Sequence, residues 1–203
     1  AIYGLHNFAT IPTGKFGINT GGFMAAADEV KILIEGVGGH AALPHLTVDP
    51  IAIGVQLHTA LQTIVSRNVT PVRPAVVSVT QFHAGSANNV IASTAELDMS
   101  VRTVDKETRE MIKRRINEIC DGLAKAHGAK IDVDFHEGYP VLVNTAHETE
   151  RAAKAAAAVV GEDNVNAKQE PTMGSEDFAF MLQVRPGAYI KLGQQDDGHP
   201  HTL

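Results

Sequence analysis

Ten histidines stand among the 203 residues, and neutral imidazole is the commonest metal ligand that a protein offers near pH 7. They are scattered. No HExxH, CxxC, GxSxG or GxGxxG run occurs, so any site must be assembled from distant segments. His6 closes an apolar stretch, Ile2-Tyr3-Gly4-Leu5-His6, ahead of Asn7 and a Pro/Gly-rich segment. Catalytic groups favour the carboxyl ends of strands in α/β sheets. His6 therefore reads either as a ligand or as a strand-end side chain satisfied by backbone. Gly38-Gly39-His40-Ala41-Ala42-Leu43-Pro44-His45 presents two imidazoles on a flexible turn. Glycine lets backbone approach a ligand closely there, although a plain polar loop between strand and helix has the same composition.

Asn88, Asn89 and Arg102 are polar groups on a loop and the strand after it. A guanidinium can fork onto a carboxylate, although taken alone these residues fit a solvated sheet face better. Met173-Gly174-Ser175-Glu176-Asp177-Phe178 reads as a helix N-terminus capped by Ser175. Its backbone N–H groups would form an anion cradle, with Glu176 and Asp177 favouring the positive dipole end; capping alone accounts for the same residues. Cys120, the single cysteine, lies beside an apolar helix stripe with no electropositive setting and reads as an inert thiol.

These residues need elements to hold them. Residues 30–35 form a strand ending at the Gly36–Gly39 turn, and Asp49-Pro50 supplies an N-cap with Pro at the first helical position. Ile51, Val55, Leu61 and Val65 keep helical spacing to about Ser66. Strands follow over 75–82 and 95–103. In the second, Ala95, Leu97, Met99 and Val101 face one way and Glu96, Asp98, Ser100 and Arg102 the other, so the sheet has one buried and one open face. Asp105 caps a long helix with the stripe Ile112, Ile116, Ile119, Leu123, Ala126, ended by Gly128. Residues 130–136 alternate as a strand. The order β-α-β-β-α-β over 30–136 is the ferredoxin-like plan, two helices on one face of a four-stranded antiparallel sheet. The flanks are less complete: a strand over 2–6, a helix opened by a Thr145/Glu148 capping box and closed by Gly161, the short helix after Ser175, and a strand over 188–192. The whole reads as a small domain inserted into a partial α/β layer.

Composition sets the outer limits. Seventeen Lys+Arg against 23 Asp+Glu give a net charge of −6, with 44% apolar and 20% charged residues. Those values are globular and exclude disorder, collagen and coiled coil. The acidic balance argues against a nucleic-acid partner, and no run reaches the ~18 apolar residues of a membrane span. One cysteine excludes an internal disulfide and suits a reducing, cytoplasmic setting.

Five segments, in order, resemble the M20 family of metal-dependent amidohydrolases, in the branch of hippurate hydrolase, N-acyl amino acid amidohydrolases and plant auxin-conjugate hydrolases. They are Gly4-Leu5-His6-Asn7 with Pro12-Thr13-Gly14; Gly38 to His45 with Asp49-Pro50; Asn89-Val90-Ile91; Val101-Arg102-Thr103; and Met173 to Phe178. Ala92 and Ala9 stand where the family usually has Pro. The resemblance implies an α/β fold: a partial α/β catalytic domain (1–27 and 141–203) carrying an inserted ferredoxin-like (βαββαβ) lid and dimerisation domain (28–140).

By that resemblance His6 is a metal ligand. His40 is the lid histidine that polarises the scissile carbonyl, in many relatives in the partner subunit's active site. Asn89 and Arg102, thirteen residues apart, hold the substrate, and Gly174 and Ser175 lie beside its amino-acid end. The implied protein is a cytoplasmic homodimer with two divalent ions, Zn or Mn with Co as a further candidate, hydrolysing small N-acyl amino acids. The other ligands and the general base are expected before Ala1, and the last histidine ligand after Leu203; His199 and His201 receive no role. Two rival expectations remain: a non-catalytic dimerisation or small-acid-binding module, and a dipeptidase or desuccinylase of the same family.

Overall fold

The structure is a computed structural model, and it describes residues 1–195; His199 and His201 lie outside the described residues. In chain order the elements are β1 (Ile2–Pro12), β2 (Phe16–Gly17), β3 (Gly21–Met24), β4 (Ala26–Glu35), β5 (Gly39–His40) and α1 (Pro50–Asn68). Then follow β6 (Ala75–Ala84), β7 (Val90–Ile91), β8 (Thr94–Thr103), α2 (Lys106–His127) and β9 (Lys130–Tyr139). The last are β10 (Leu142–Asn144), α3 (Ala146–Val160), β11 (Val165–Asn166), α4 (Phe178–Val184) and β12 (Gly187–Gln195). Two compact units result: Ala27–Gly138, and Ala1–Ala26 together with the chain from Tyr139 on.

The Ala27–Gly138 unit is a four-stranded sheet in the order β6-β8-β4-β9, the ferredoxin-like arrangement. Alternation predicts its buried face well: Ala95, Leu97, Met99 and Val101 on β8 all go inward. They join Val30, Ile32 and Ile34 of β4 beneath α1 and α2. Asp49 caps α1 as its sequence suggests, accepting from the Ile51 and Ala52 N–H groups. Gly128 ends α2 with φ 68°, a left-handed position that glycine occupies without strain. The chain enters and leaves this unit at one point. There the buried Asp28 carboxylate takes a fork from Arg109 and the Gly138 N–H at 3.1 Å. A Cβ at Gly138 would meet the Ala27 carbonyl oxygen at 2.3 Å, so only glycine allows this approach.

Two helix stripes differ from expectation. On α1 the buried face is Ile53, Leu57, Leu61 and Ile64, whereas Ile51 and Val55 are exposed. On α2 it is Thr108, Ile112, Ile116 and Cys120 at a strict spacing of four; Ala126 is exposed and Ile119 half-buried. Cys120 is thus in the core, and burial pushes its thiol up to about 12.

In the other unit β1 pairs in parallel with β12, and the sheet continues through β2 to β11. β12 is covered on both sides. Ala188 and Ile190 pack with Ala156 of α3 and Ile18, while Tyr189 packs with Phe23, Leu142 and Ala179 of α4. Three further expectations are corrected here. β1 runs on to Pro12, so His6 sits in mid-strand and not at its end. The Thr145/Glu148 pair forms no box, because the Thr145 hydroxyl bonds the Glu148 carboxylate and takes the Gly187 N–H at 3.1 Å instead of a helix N–H. Finally, the short helix begins at Phe178 with Asp177 at its cap, leaving Gly174–Glu176 in an irregular segment outside it.

The α1 stripe is directly testable. Leu57→Ala is expected to cost about 2–5 kcal/mol, as for a buried leucine, and Val55→Ala less than about 0.5 kcal/mol, as for a surface site. Denaturant titration of both variants checks the ranking.

Candidate functional site

In the β1/β12 unit, the register sets Gly4 beside Tyr189 and His6 beside Lys191. Paired residues of neighbouring strands share a face, and residues two apart on one strand share it as well. Gly4, His6 and Phe8 therefore line up with Tyr189 and Lys191. Gly4 is required by contact: a Cβ there would stand 2.6 Å from a Tyr189 ring carbon. The His6 ring centroid is 5.2 Å from that of Phe8 and 6.5 Å from that of Tyr189. His6 Nδ1 lies 2.6 Å from the Asn7 carbonyl oxygen. A carbonyl only accepts, so Nδ1 carries the hydrogen and Nε2 keeps its lone pair in the neutral ring. That arrangement fits a metal ligand, whose second nitrogen is commonly held in this way.

Next to His6 stand groups that the motif reading did not single out. The Tyr189 hydroxyl donates to Glu176 at 2.5 Å. Burial works against ionisation of the Glu176 carboxyl, but hydrogen bonding, first from the Tyr189 hydroxyl and then from Asp177 and the Phe178 N–H, outweighs it, and its pKa falls. The Tyr189 phenol is pushed upward, first by burial and then by this carboxylate. Lys191 is 1% exposed. Its Nζ donates to Thr172 Oγ1 at 3.0 Å and lies over the Phe8 and Phe23 rings, while burial draws its pKa down to about 8. A lysine within the apolar run Ala188–Leu192 was the available signal. Gly174 and Ser175 lie between these anchors, and the Gly174 carbonyl accepts the Ala25 N–H at 2.9 Å.

In the Ala27–Gly138 unit, the Gly-Gly-His segment is a short strand and not a loose turn. β5 pairs antiparallel with β7, with His40 opposite Val90, and the Ala41 N–H reaches the Asn89 carbonyl at 3.0 Å. The ladder therefore brings His40 and Asn89 together, beside a pocket of ≈ 550 Å³ that β5 and β7 help to line. The Ala42 N–H donates to His40 Nδ1 at 3.0 Å. Nδ1 is an acceptor here, so Nε2 carries the hydrogen in the neutral ring. Arg102 is not brought to this pair. It lies near the far end of β8, on the open sheet face with its Nε on Ser100 Oγ at 3.2 Å. Eight residues of strand, about 26 Å, separate it from Thr94 at the β7 end.

Among the described residues no group of three or more His, Cys, Asp or Glu could hold a metal ion, and no helix is long and apolar enough to cross a membrane. Residues 25–128 match the family described as a peptidase dimerisation domain. The chain is 38% identical over 193 residues to an N-acetylcysteine deacetylase of Bacillus subtilis, covering 95% of this chain and 50% of that protein. It is also 38% identical over 201 residues to the hippurate hydrolase of Campylobacter jejuni, covering 99% of this chain and 52% of that enzyme. A crystal structure of a Bacillus subtilis dinuclear metal-binding peptidase of the M20 family superposes with a TM-score of 0.76 at 30% identity. That likeness covers 95% of this chain and 47% of the other. The chain thus spans about half the length of the curated relatives it matches.

Lys191 makes stability depend on pH. Its folded pKa of about 8 lies below the unfolded 10.5, so unfolding takes up protons between those values. Below the window both states are charged and the cost of burial is fully present; above it both are neutral and the cost is gone. Stability therefore rises with pH across the window. In the metal-free chain, Lys191→Met is expected to gain about 1–3 kcal/mol at pH 7, with the gain vanishing towards pH 10.5. Paired urea titrations check this, and a variant less stable than wild type at pH 7 contradicts it.

Proposed function

The chain belongs to the M20 peptidase family through its dimerisation domain, and from that we propose that the intact protein hydrolyses the amide bond of N-acyl amino acids such as hippurate. In this reading Ala27–Gly138 is the lid and dimerisation domain, the flanking segments belong to the catalytic domain, and the protein acts as a cytoplasmic homodimer. One observation carries the reading: the two histidines of the shared motifs are held in opposite tautomers. His6 keeps a lone pair on Nε2, as a ligand must, and His40 keeps a hydrogen there, as a donor to an oxyanion must.

Two divalent ions, Zn or Mn with Co as a further candidate, would bind through His6 and through ligands supplied outside these 203 residues. When bound, such ions supply an activated water and polarise the scissile carbonyl. The chain's own groups do the rest. His40 Nε2–H stabilises the charge that develops on the carbonyl oxygen, and Asn89, joined to it through the β5/β7 ladder, holds the substrate beside it. Arg102 forks onto the substrate carboxylate, and Gly174 and Ser175 serve the substrate's amino-acid end. The length of β8 between the His40 pair and Arg102 supports the expectation that the two act on one substrate from different subunits. Lid closure excludes water from the assembled site.

The test uses the full-length protein. Hippurate is expected to be turned over in preference to dipeptides and N-succinyl compounds. His40→Ala is expected to lower kcat about 10²–10³-fold, the effect of removing one oxyanion donor, with KM nearly unchanged. Unchanged turnover removes His40 from the mechanism. Turnover of none of the three classes leaves a dimerisation or small-acid-binding module, and preference for either of the others makes the protein a dipeptidase or desuccinylase.

A further inference from the structure

The segment Thr172–Glu176 runs along β12 on the face that Tyr189 and Lys191 share with His6, and is tied to that strand at both ends. Lys191 Nζ holds Thr172 Oγ1 at 3.0 Å and the Tyr189 hydroxyl holds the Glu176 carboxylate at 2.5 Å. These anchors come from one strand, two residues apart and therefore on one face. In between, the Ala25 N–H is shared by the Thr172 and Gly174 carbonyls at 3.1 and 2.9 Å, and the Thr172 N–H returns to the Phe23 carbonyl at 3.2 Å. Gly4 leaves the room in which the Tyr189 ring lies.

Lys191 is an expensive way to hold a sheet together. A buried ammonium is costly even when hydrogen-bonded, and on a strand covered on both sides an apolar residue would serve stability better. Two aromatic faces and one threonine hydroxyl are its surroundings. Of these only the hydroxyl belongs to the segment 172–176, so a methionine, which also gives up the two ring contacts, loses its one tie to that segment, the charge-assisted bond to Thr172. The Tyr189–Glu176 bond is its counterpart at the other end.

We propose that Tyr189 and Lys191 are positioning residues: through Glu176 and Thr172 they strap residues 172–176 along β12 and so fix Gly174 and Ser175 where the substrate's carboxylate is read. The second half of this statement rests on the functional reading above; the strap itself does not.

Three variants of the full-length protein test it: Tyr189→Phe, Lys191→Met and, from the strap side, Thr172→Val. Each is measured by amide hydrogen exchange over 172–177, and by kcat and KM on an N-acyl amino acid and on the matching N-acyl amine without a carboxylate. Exchange over 172–177 is expected to quicken at least tenfold in each variant. KM for the carboxylate-bearing substrate is expected to rise about tenfold with kcat little changed, and the carboxylate-free compound to be unaffected. Lys191→Met is expected to show these losses while its thermal stability is kept or raised, which a merely structural role would not produce. Unchanged exchange overturns the strap. Faster exchange with unchanged discrimination between the two compounds overturns its role in substrate positioning. If wild type hydrolyses neither compound, the functional reading and the substrate role fall together, and exchange alone decides the strap.

Discussion

The parallel pairing of β1 with β12 is the constraint on which the flanking unit depends. It joins Ile2 to Gly187 and Phe8 to Gly193, across some 185 residues of chain, and no local preference could bring those segments together. Closing so long a loop carries an entropic cost that grows only slowly with length. The intervening unit also shortens the loop in effect, because its entry and exit are clamped by Asp28, Arg109 and Gly138. Once the register is set, the positions of the flanking unit's chemical groups follow. Gly4 receives the Tyr189 ring, His6 stands beside Lys191, and the Thr172–Glu176 segment is pinned above them.

How much of this was legible in the sequence depended on whether the deciding interactions were local. Asp49, Asp105 and Gly128 act on their own helices, and the alternation of β8 is a property of eight adjacent residues; all of these read correctly. The α1 stripe did not, because Ile51/Val55 and Ile53/Leu57 have the same spacing and only packing against β4, β6 and β8 selects between them. The sequence shows only the first part of β1 for a related reason. Asn7, Ala9 and Thr10 have little strand character of their own, and β12 holds that stretch extended as far as Phe8 before the register shifts. Ser175 has the composition of a cap, yet the Ala25 and Tyr189 hydrogen bonds draw the chain away from helical geometry until Asp177.

The site divides in the same way. The residue types of His6, His40, Asn89 and Arg102 stand in plain sight, but their tautomers and neighbours do not. A carbonyl beside one imidazole and an N–H beside the other assign them opposite capacities, and neither partner is visible in a motif. Lys191 shows the reverse problem. It is conspicuous as one charge in an apolar strand, but its meaning depends on Thr172, nineteen residues away in sequence. Fold stability and site geometry pull against each other at this residue, as they do wherever a functional position keeps a group that a better-packed core would discard.

On the proposed reading, His6 is one ligand of a metal site that these 203 residues do not complete by themselves. Metal content per chain, measured on the purified 203-residue protein after dialysis against Zn or Mn, tests it most directly. None is expected, or one weakly held ion that is lost in His6→Ala. Two tightly held ions per chain would mean that the histidines and carboxylates already present build a complete site, and would contradict it.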